Sequence, residues 1–356
     1  MKYEFNKQIK ISNFVLDQNS KTFIIAEAGV NHNGDTELAK KLIDAAVEAK
    51  ADAVKFQTFK AHKLNTRKAP KSSYHLRGTP TDDVQSWFDL LRTQEISLEM
   101  HKELMEYCKE KNILFLSTPY DTESADLLDS LDIAAFKVAS TDANNYPLLQ
   151  HLGRTGRPII LSTAMSTLKE VEVAIKTIHE TGNKNLILLH CTANYPADIE
   201  NTNILAMKTL EKEFGTLVGY SDHCPKRLNP IAAVSLGAKV IEKHFTISKD
   251  LEGPDHQASL EPDELIQMVN DIRDTESLLG TGVKASLPCE SENIKKLRKS
   301  VVIGSHVKKG DVLTAENLDI KRPGTGMAPV EYFALLGKTV NKDLPEDYLL
   351  TTSDFD

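Results

Sequence analysis

The sequence predicts an α/β protein, a (β/α)8 TIM barrel followed by a small second domain of short strands. Three observations carry this. Short apolar runs alternate with amphipathic segments eight times over roughly 260 residues, as eight barrel units require. Almost every apolar run ends in a polar residue, where barrel enzymes keep their chemistry. The pattern then breaks after Leu279, where glycines and short strand-like runs replace long helical ones.

The candidate strands, in order, are Phe23–Ala28, Ala53–Gln57, Ile113–Ser117, Ala135–Ala139, Ile159–Ser162, Leu186–Cys191, Val218–Ser221 and Val240–His244. Each is apolar almost throughout, which fits parallel strands covered on both faces. Thr36–Ala49 and Leu168–His179 show the helical spacing expected between them. An open doubly wound sheet is the alternative, and a count of eight disfavours it. The long stretch Thr58–Arg92, rich in Lys, Pro, Ser and Thr, follows the second strand and reads as a lid over the barrel mouth. The chain is expected to divide into a barrel over residues 1–279, whose first 21 residues form an extension, a linker over 280–297, and a second domain over 298–356 with strands at SVVIG and DVLT. A domain of about 60 residues has a marginal core and needs a surface to lean on.

The polar strand ends define the candidate site. Strand one ends in Glu27. Lys55 and Gln57 share a face of strand two, because side chains alternate with period two. Strand three leads to Thr118, strand four carries Lys137 and then Ser140, and strand five ends in Ser162. Strand six runs out through His190-Cys191-Thr192 to Tyr195. Ser221 and His223 share a face at the end of strand seven, and Glu242 and His244 share one on strand eight. A lysine inside an apolar strand needs a counter-charge. Lys55 and Lys137 therefore imply buried ion pairs or an anionic ligand, and the hydroxyls at neighbouring strand ends favour a phosphate or carboxylate. Two histidines on adjacent strand ends suit one divalent cation. Glu27 and Glu242 are either acid–base groups or the partners of the lysines.

Composition excludes several classes. The net charge of −8 argues against broad nucleic-acid binding. The start, MKYEFNKQIK, lacks the apolar core of a signal peptide, and no apolar run approaches membrane-spanning length. Cys108, Cys191, Cys224 and Cys289 form no CxxC pair, which fits reduced thiols in a cytoplasmic protein.

Several segments resemble sialic acid synthases: Ile25-Ala26-Glu27-Ala28-Gly29-Val30-Asn31-His32-Asn33-Gly34-Asp35, Ala53-Val54-Lys55-Phe56-Gln57-Thr58, Leu116-Ser117-Thr118-Pro119, Tyr220-Ser221-Asp222-His223, Ile241-Glu242-Lys243-His244-Phe245-Thr246, Gly253-Pro254-Asp255-His256, Ser259-Leu260-Glu261-Pro262 and Lys321-Arg322-Pro323-Gly324. The resemblance runs from about residue 22 to the C-terminus. It implies the barrel, a C-terminal antifreeze-like (SAF, β-clip) domain, a domain-swapped homodimer, and Mn2+ or a similar ion such as Mg2+ or Co2+. It places the metal on His223 and His244. Phosphoenolpyruvate falls to Lys55, Thr118, Lys137, Ser140, Ser162 and Ser221. An N-acylated amino-hexose falls to Gln57, Tyr195, Asp255 and Arg322, with Glu27 as acid–base group. The chain departs from the family at Ala193, where some relatives carry asparagine, and at Thr141-Asp142, where many carry Gly-Glu.

The implied activity is condensation of phosphoenolpyruvate with N-acetylmannosamine to N-acetylneuraminate, with phosphate released. The alternative sugar is 2,4-diacetamido-2,4,6-trideoxymannose, leading to N,N'-diacetyllegionaminate. Gly253-Pro254-Asp255-His256 looks closer to these two branches than to the pseudaminic one. A pyruvate aldolase, metal-dependent or with Lys137 as a Schiff-base nucleophile, is a competing enzyme reading. A carbohydrate- or ice-binding protein is the non-enzymatic one.

Overall fold

The computed structural model describes residues 3–67 and 87–356. It divides into two compact units, residues 1–280 and 281–356. In the first, eight parallel strands close into a barrel: β1 (Phe23–Gly29), β2 (Ala53–Thr58), β3 (Leu114–Pro119), β4 (Phe136–Val138), β5 (Ile159–Ser162), β6 (Leu186–Cys191), β7 (Leu217–Asp222) and β8 (Val240–His244). Each strand pairs with the next in sequence and β8 returns to β1. All eight expected strands are present.

Alternation along the strands sorts side chains into two sets. Outward residues such as Ile24, Ala26, Val54, Phe56, Phe115, Phe136, Leu161, Leu188, Val218 and Ile241 join the surrounding helices in the larger core. The helix Thr36–Glu48 begins at Asp35, whose carboxylate accepts from the amides of Glu37 and Leu38. Thr167 and Glu170 form a capping box for Leu168–His179. Inward residues form a separate core of Phe23, Ile25, Ala53, Leu116, Ala135, Ile160, Ile187, Leu189, Leu217 and Val240. Residues 1–21 were expected to form an N-terminal extension. They contain an antiparallel hairpin, Ile9–Ile11 with Phe14–Leu16, whose Ile9, Ile11 and Leu16 complete that inward core.

The lid expected over Thr58–Arg92 falls largely on residues 68–86, which lie outside the described residues; its ends carry the helices Ala61–Leu64 and Trp87–Thr93. Among the described residues no helix is long and apolar enough to cross a membrane. All four cysteines are free, and only Cys289 is exposed.

The second unit has its own core of Val301, Ile303, Val307, Leu313, Leu318, Leu335, Val340, Leu344 and Leu350. The strand expected at SVVIG is Ser300–Ile303, but its antiparallel partner is Leu318–Lys321 rather than DVLT. Val312, within DVLT, forms an isolated bridge to Thr339, and Asp311 and Leu313 exchange backbone hydrogen bonds with residues 337–340. Turns at 309–310 and 315–317 leave the four residues too short to extend that pairing into a strand. The expected linker 280–297 carries the helix Ser291–Leu297.

Candidate active site

One step above the inward apolar core, the same alternation brings Glu27, Lys55, Gln57, Thr118, Lys137, Ser162, Cys191, Ser221, Glu242 and His244 to the interior face. The ladder aligns them. Glu27 lies opposite Lys55 and His244, Gln57 opposite Thr118, and Ser221 opposite both Cys191 and Glu242. At the end of β1 the chain turns through Gly29, whose φ of +54° suits glycine. A Cβ there would meet Glu27 Oε1 and Gln57 Nε2 at 3.3 Å.

The charged groups form one connected cluster. Lys55 Nζ lies 2.6 Å from Glu27 Oε2 and 3.6 Å from Glu242 Oε2, and donates to Thr118 Oγ1 at 2.9 Å. Lys137 Nζ lies 3.4 Å from Glu242 Oε1, which also accepts from Ser221 Oγ at 2.8 Å. Gln57 Nε2 donates to Glu27 Oε1 at 3.3 Å. Of the two expected readings of the lysines, the structure shows the ion pairs: both pair with carboxylates on the interior face of the barrel.

The two carboxylates are not equivalent. Burial disfavours ionisation of Glu242, but Lys137, Lys55 and the Ser221 hydroxyl outweigh it and hold its pKa below the usual range. Glu27 is left with the weaker share of positive charge. Burial, opposed chiefly by Lys55, raises its pKa to about 7. Burial also works against both ammonium groups. Glu242 and Glu27 overcome it at Lys55 and raise its pKa, whereas at Lys137 burial prevails and lowers it. An anion arriving beside Lys137 would supply the compensation it lacks.

His223 and His244 face each other with ring centroids 5.5 Å apart. Burial pushes the His223 pKa down to about 4, and burial followed by the neighbouring His223 pushes that of His244 well below the ordinary range. Both are therefore neutral imidazoles, the form that binds metals. Thr192 O engages His223 Nδ1 at 2.6 Å and the Tyr195 hydroxyl meets Nε2 at 2.9 Å. His244 Nδ1 is buried without a hydrogen-bond partner. Among the described residues no group of three or more His, Cys, Asp or Glu forms a cage. The unsatisfied nitrogen of His244, beside a His223 whose Nε2 would exchange the Tyr195 hydroxyl for a metal, fits a cation whose other positions are filled by water or substrate.

Ser162 Oγ is also buried without a partner on the same face. Ser140 lies just beyond β4, accepts from Ala164 N at 3.0 Å and meets Cys191 Sγ at 3.1 Å. Cys191 was missed as a lining residue, although its period-two relation to Ile187 and Leu189 signals it. Asp255 is buried in the loop after β8, and burial raises its pKa to about 6. That loop is tied to the one after β1: Asn31 Nδ2 donates to Phe245 O and Ser259 Oγ, and Asn33 Nδ2 to Glu252 O. Of the departures, Ala193 is exposed, whereas Asp142 holds Asn145, the cap of the helix Tyr146–Arg154. Arg322 lies in the second unit, exposed beyond the strand Leu318–Lys321.

A model of the NeuB family matches residues 42–284. The chain belongs to the NeuB family. Its C-terminal residues 298–356 match an SAF domain. Among NeuB relatives, the N,N'-diacetyllegionaminic acid synthase of Campylobacter jejuni subsp. jejuni is 46% identical over 93% of this chain and 99% of its own. The N-acetylneuraminate-9-phosphate synthase of Homo sapiens is 37% identical over 91% of this chain and 90% of its own. The crystal structure of N-acetylneuraminic acid synthetase from Leptospira borgpetersenii, in complex with citrate, superposes with a TM-score of 0.72 at 32% identity, covering 82% of this chain and 96% of that one.

Proposed function

We propose that this NeuB-family chain condenses phosphoenolpyruvate with 2,4-diacetamido-2,4,6-trideoxymannose and water, giving N,N'-diacetyllegionaminate and phosphate. The observation that carries the reaction class is the buried cluster of Lys55 and Lys137 with Thr118, Ser162 and Ser221 at the barrel mouth. The greater identity to the legionaminic relative than to the human enzyme favours this sugar over N-acetylmannosamine, toward which the motifs alone lean.

Lys55 and Lys137 bind the phosphate and carboxylate, and the hydroxyls orient them. C3 of phosphoenolpyruvate attacks the aldehyde carbon of the open-chain sugar, and positive charge develops at C2. Water adds at C2, and the tetrahedral carbon expels phosphate by C–O cleavage. Glu27, with a pKa near neutrality, takes the proton released by that water or returns it to the leaving group. Glu242 stays ionised, offsets the lysines and holds Ser221. His223 and His244 would hold a divalent cation, which would supply Lewis-acid polarisation of the aldehyde oxygen. Asp255, Gln57 and Tyr195 hold the amino sugar.

The test is phosphate release from phosphoenolpyruvate with each sugar, compared as kcat/KM. A higher value for N-acetylmannosamine would overturn the sugar assignment, and turnover of pyruvate without phosphate release would overturn the reaction. Chelation should abolish turnover and Mn2+ restore it. The homodimer, and a part for Arg322 in holding the sugar of the partner chain, come with the family resemblance. Coexpressed inactive Arg322→Ala and Glu27→Ala chains should then recover roughly a quarter of wild-type activity, because half of randomly formed dimers hold one intact site. No recovery would confine Arg322 to its own chain.

A further inference from the structure

Just outside the site lies a second buried ion pair that the reaction does not use. Lys243 Nζ is 2.5 Å from Asp222 Oδ2, and both side chains are fully buried, at 0% exposure. The two residues face each other across the β7–β8 ladder. Each immediately precedes a histidine of the candidate metal pair, His223 and His244. Successive strand residues point to opposite faces, so this outward rung is the one from which the two imidazoles project inward.

The pair also fixes the turn that leaves β7. Asp222 Oδ1 accepts from Cys224 N at 3.0 Å and from Asn229 Nδ2 at 3.2 Å, reaching the first turn of the helix Leu228–Ser235. Lys243 Nζ donates to Cys224 O and, at 3.5 Å, to Lys226 O. Every bond from the pair ends on residues 222–229, the segment that carries His223. A buried ion pair is a poor source of net stability, because desolvation offsets attraction. Its contribution here is directional: it fixes the β7–β8 rung that precedes both histidines and the turn that follows His223.

We propose that Asp222–Lys243 is a positioning strut that sets the separation of His223 and His244 for a divalent cation. The inference rests on the metal reading above. The test uses the full chain, stripped of metal, with Mn2+ titrated by calorimetry into wild type and into the double variant Asp222→Asn/Lys243→Met. The double variant leaves no lone buried charge and keeps side-chain volume. Circular dichroism checks folding, and phosphoenolpyruvate titration checks the neighbouring lysine cradle. The expected result is a Mn2+ Kd raised about 10- to 100-fold, the range for groups that orient metal ligands, with phosphoenolpyruvate affinity changed less than about threefold.

A folded double variant that binds Mn2+ within about twofold of wild type overturns the strut and leaves the metal reading standing. An equal loss of both affinities also overturns it, since that reports a loosened barrel. If wild type binds no Mn2+ while His223→Ala is indistinguishable from it, the metal reading fails and the strut fails with it. Should the double variant not fold, Asp222→Asn alone decides: it keeps the shape and weakens the bond to Lys243, and an unchanged Mn2+ affinity overturns the proposal.

Discussion

On β1 the inward residues run Phe23, Ile25, Glu27; on β2, Ala53, Lys55, Gln57; on β8, Val240, Glu242, His244. The lower half of the barrel interior is sealed hydrocarbon, plugged from below by Ile9, Ile11 and Leu16. The upper half, on the same strands, is a cluster of buried lysines, carboxylates and imidazoles with unsatisfied atoms at Ser162, Glu242 and His244. A buried aliphatic side chain contributes about 1.5–3 kcal/mol. A buried charge costs several before its partners repay it. The lower layer thus holds the upper one in a state that water alone would not favour. Substitutions confined to one layer should leave the other largely unchanged.

The largest effect belongs to Glu27→Gln. It keeps the shape and removes the group that titrates near neutrality, so kcat should fall by about 10²–10⁴ with little change in thermal stability. Steady-state phosphate release measures it; a loss below about fivefold would assign proton transfer elsewhere.

Next comes a matched pair, one substitution per layer. Lys137→Met should raise the KM for phosphoenolpyruvate by roughly 30- to 150-fold, from loss of a charge-assisted contact, and leave stability near wild type. Ile160→Ala, in the apolar core on the neighbouring strand β5, should do the reverse: a loss of about 2–5 kcal/mol in denaturant unfolding with KM nearly unchanged in the folded protein. Should Lys137→Met unfold the barrel, or Ile160→Ala change KM as strongly, the two layers would not be separable.

Much of this layering was legible in the sequence because polar residues interrupt otherwise apolar strands of three to seven residues at period-two positions, which leaves little choice of facing. Glu27, Lys55, Lys137, Glu242 and His244 stood out as polar residues on apolar strands. Other features were hidden for physical reasons. The plugging hairpin has strands of three residues, too short to show a period. Asp222 and Lys243 lay within recognised motifs, but the lysine could be paired with the aspartate only once β7 and β8 were known to be neighbours in that register. DVLT has strand-like composition, yet strand formation depends on a partner that composition does not specify.

The smallest effect is expected at Asp255, which shares the cost of the upper layer without a counter-charge to offset it. Burial raises its carboxyl pKa from 3.8 to about 6. A carboxyl raised in the folded state binds more protons there than in the unfolded chain, so its contribution to stability falls as pH rises from about 4 through 6. At pH 7 the ionised group costs about 3 kcal/mol. Asp255→Asn removes that cost and should stabilise the ligand-free protein by about this much at pH 7, with the gain shrinking as pH falls through about 6 and vanishing below about pH 4, as both states of the wild-type residue become protonated. The same substitution should raise the KM for the amino sugar and spare that for phosphoenolpyruvate. Thermal melts across pH decide the matter. A gain independent of pH would mean that the carboxylate is not the source of the cost, and a destabilised variant would mean that Asp255 is held by partners whose loss outweighs it. A pH-dependent gain joined to a weaker grip on the sugar would mark Asp255 as a group whose buried charge is retained for the ligand, as the lysines are on the opposite strands.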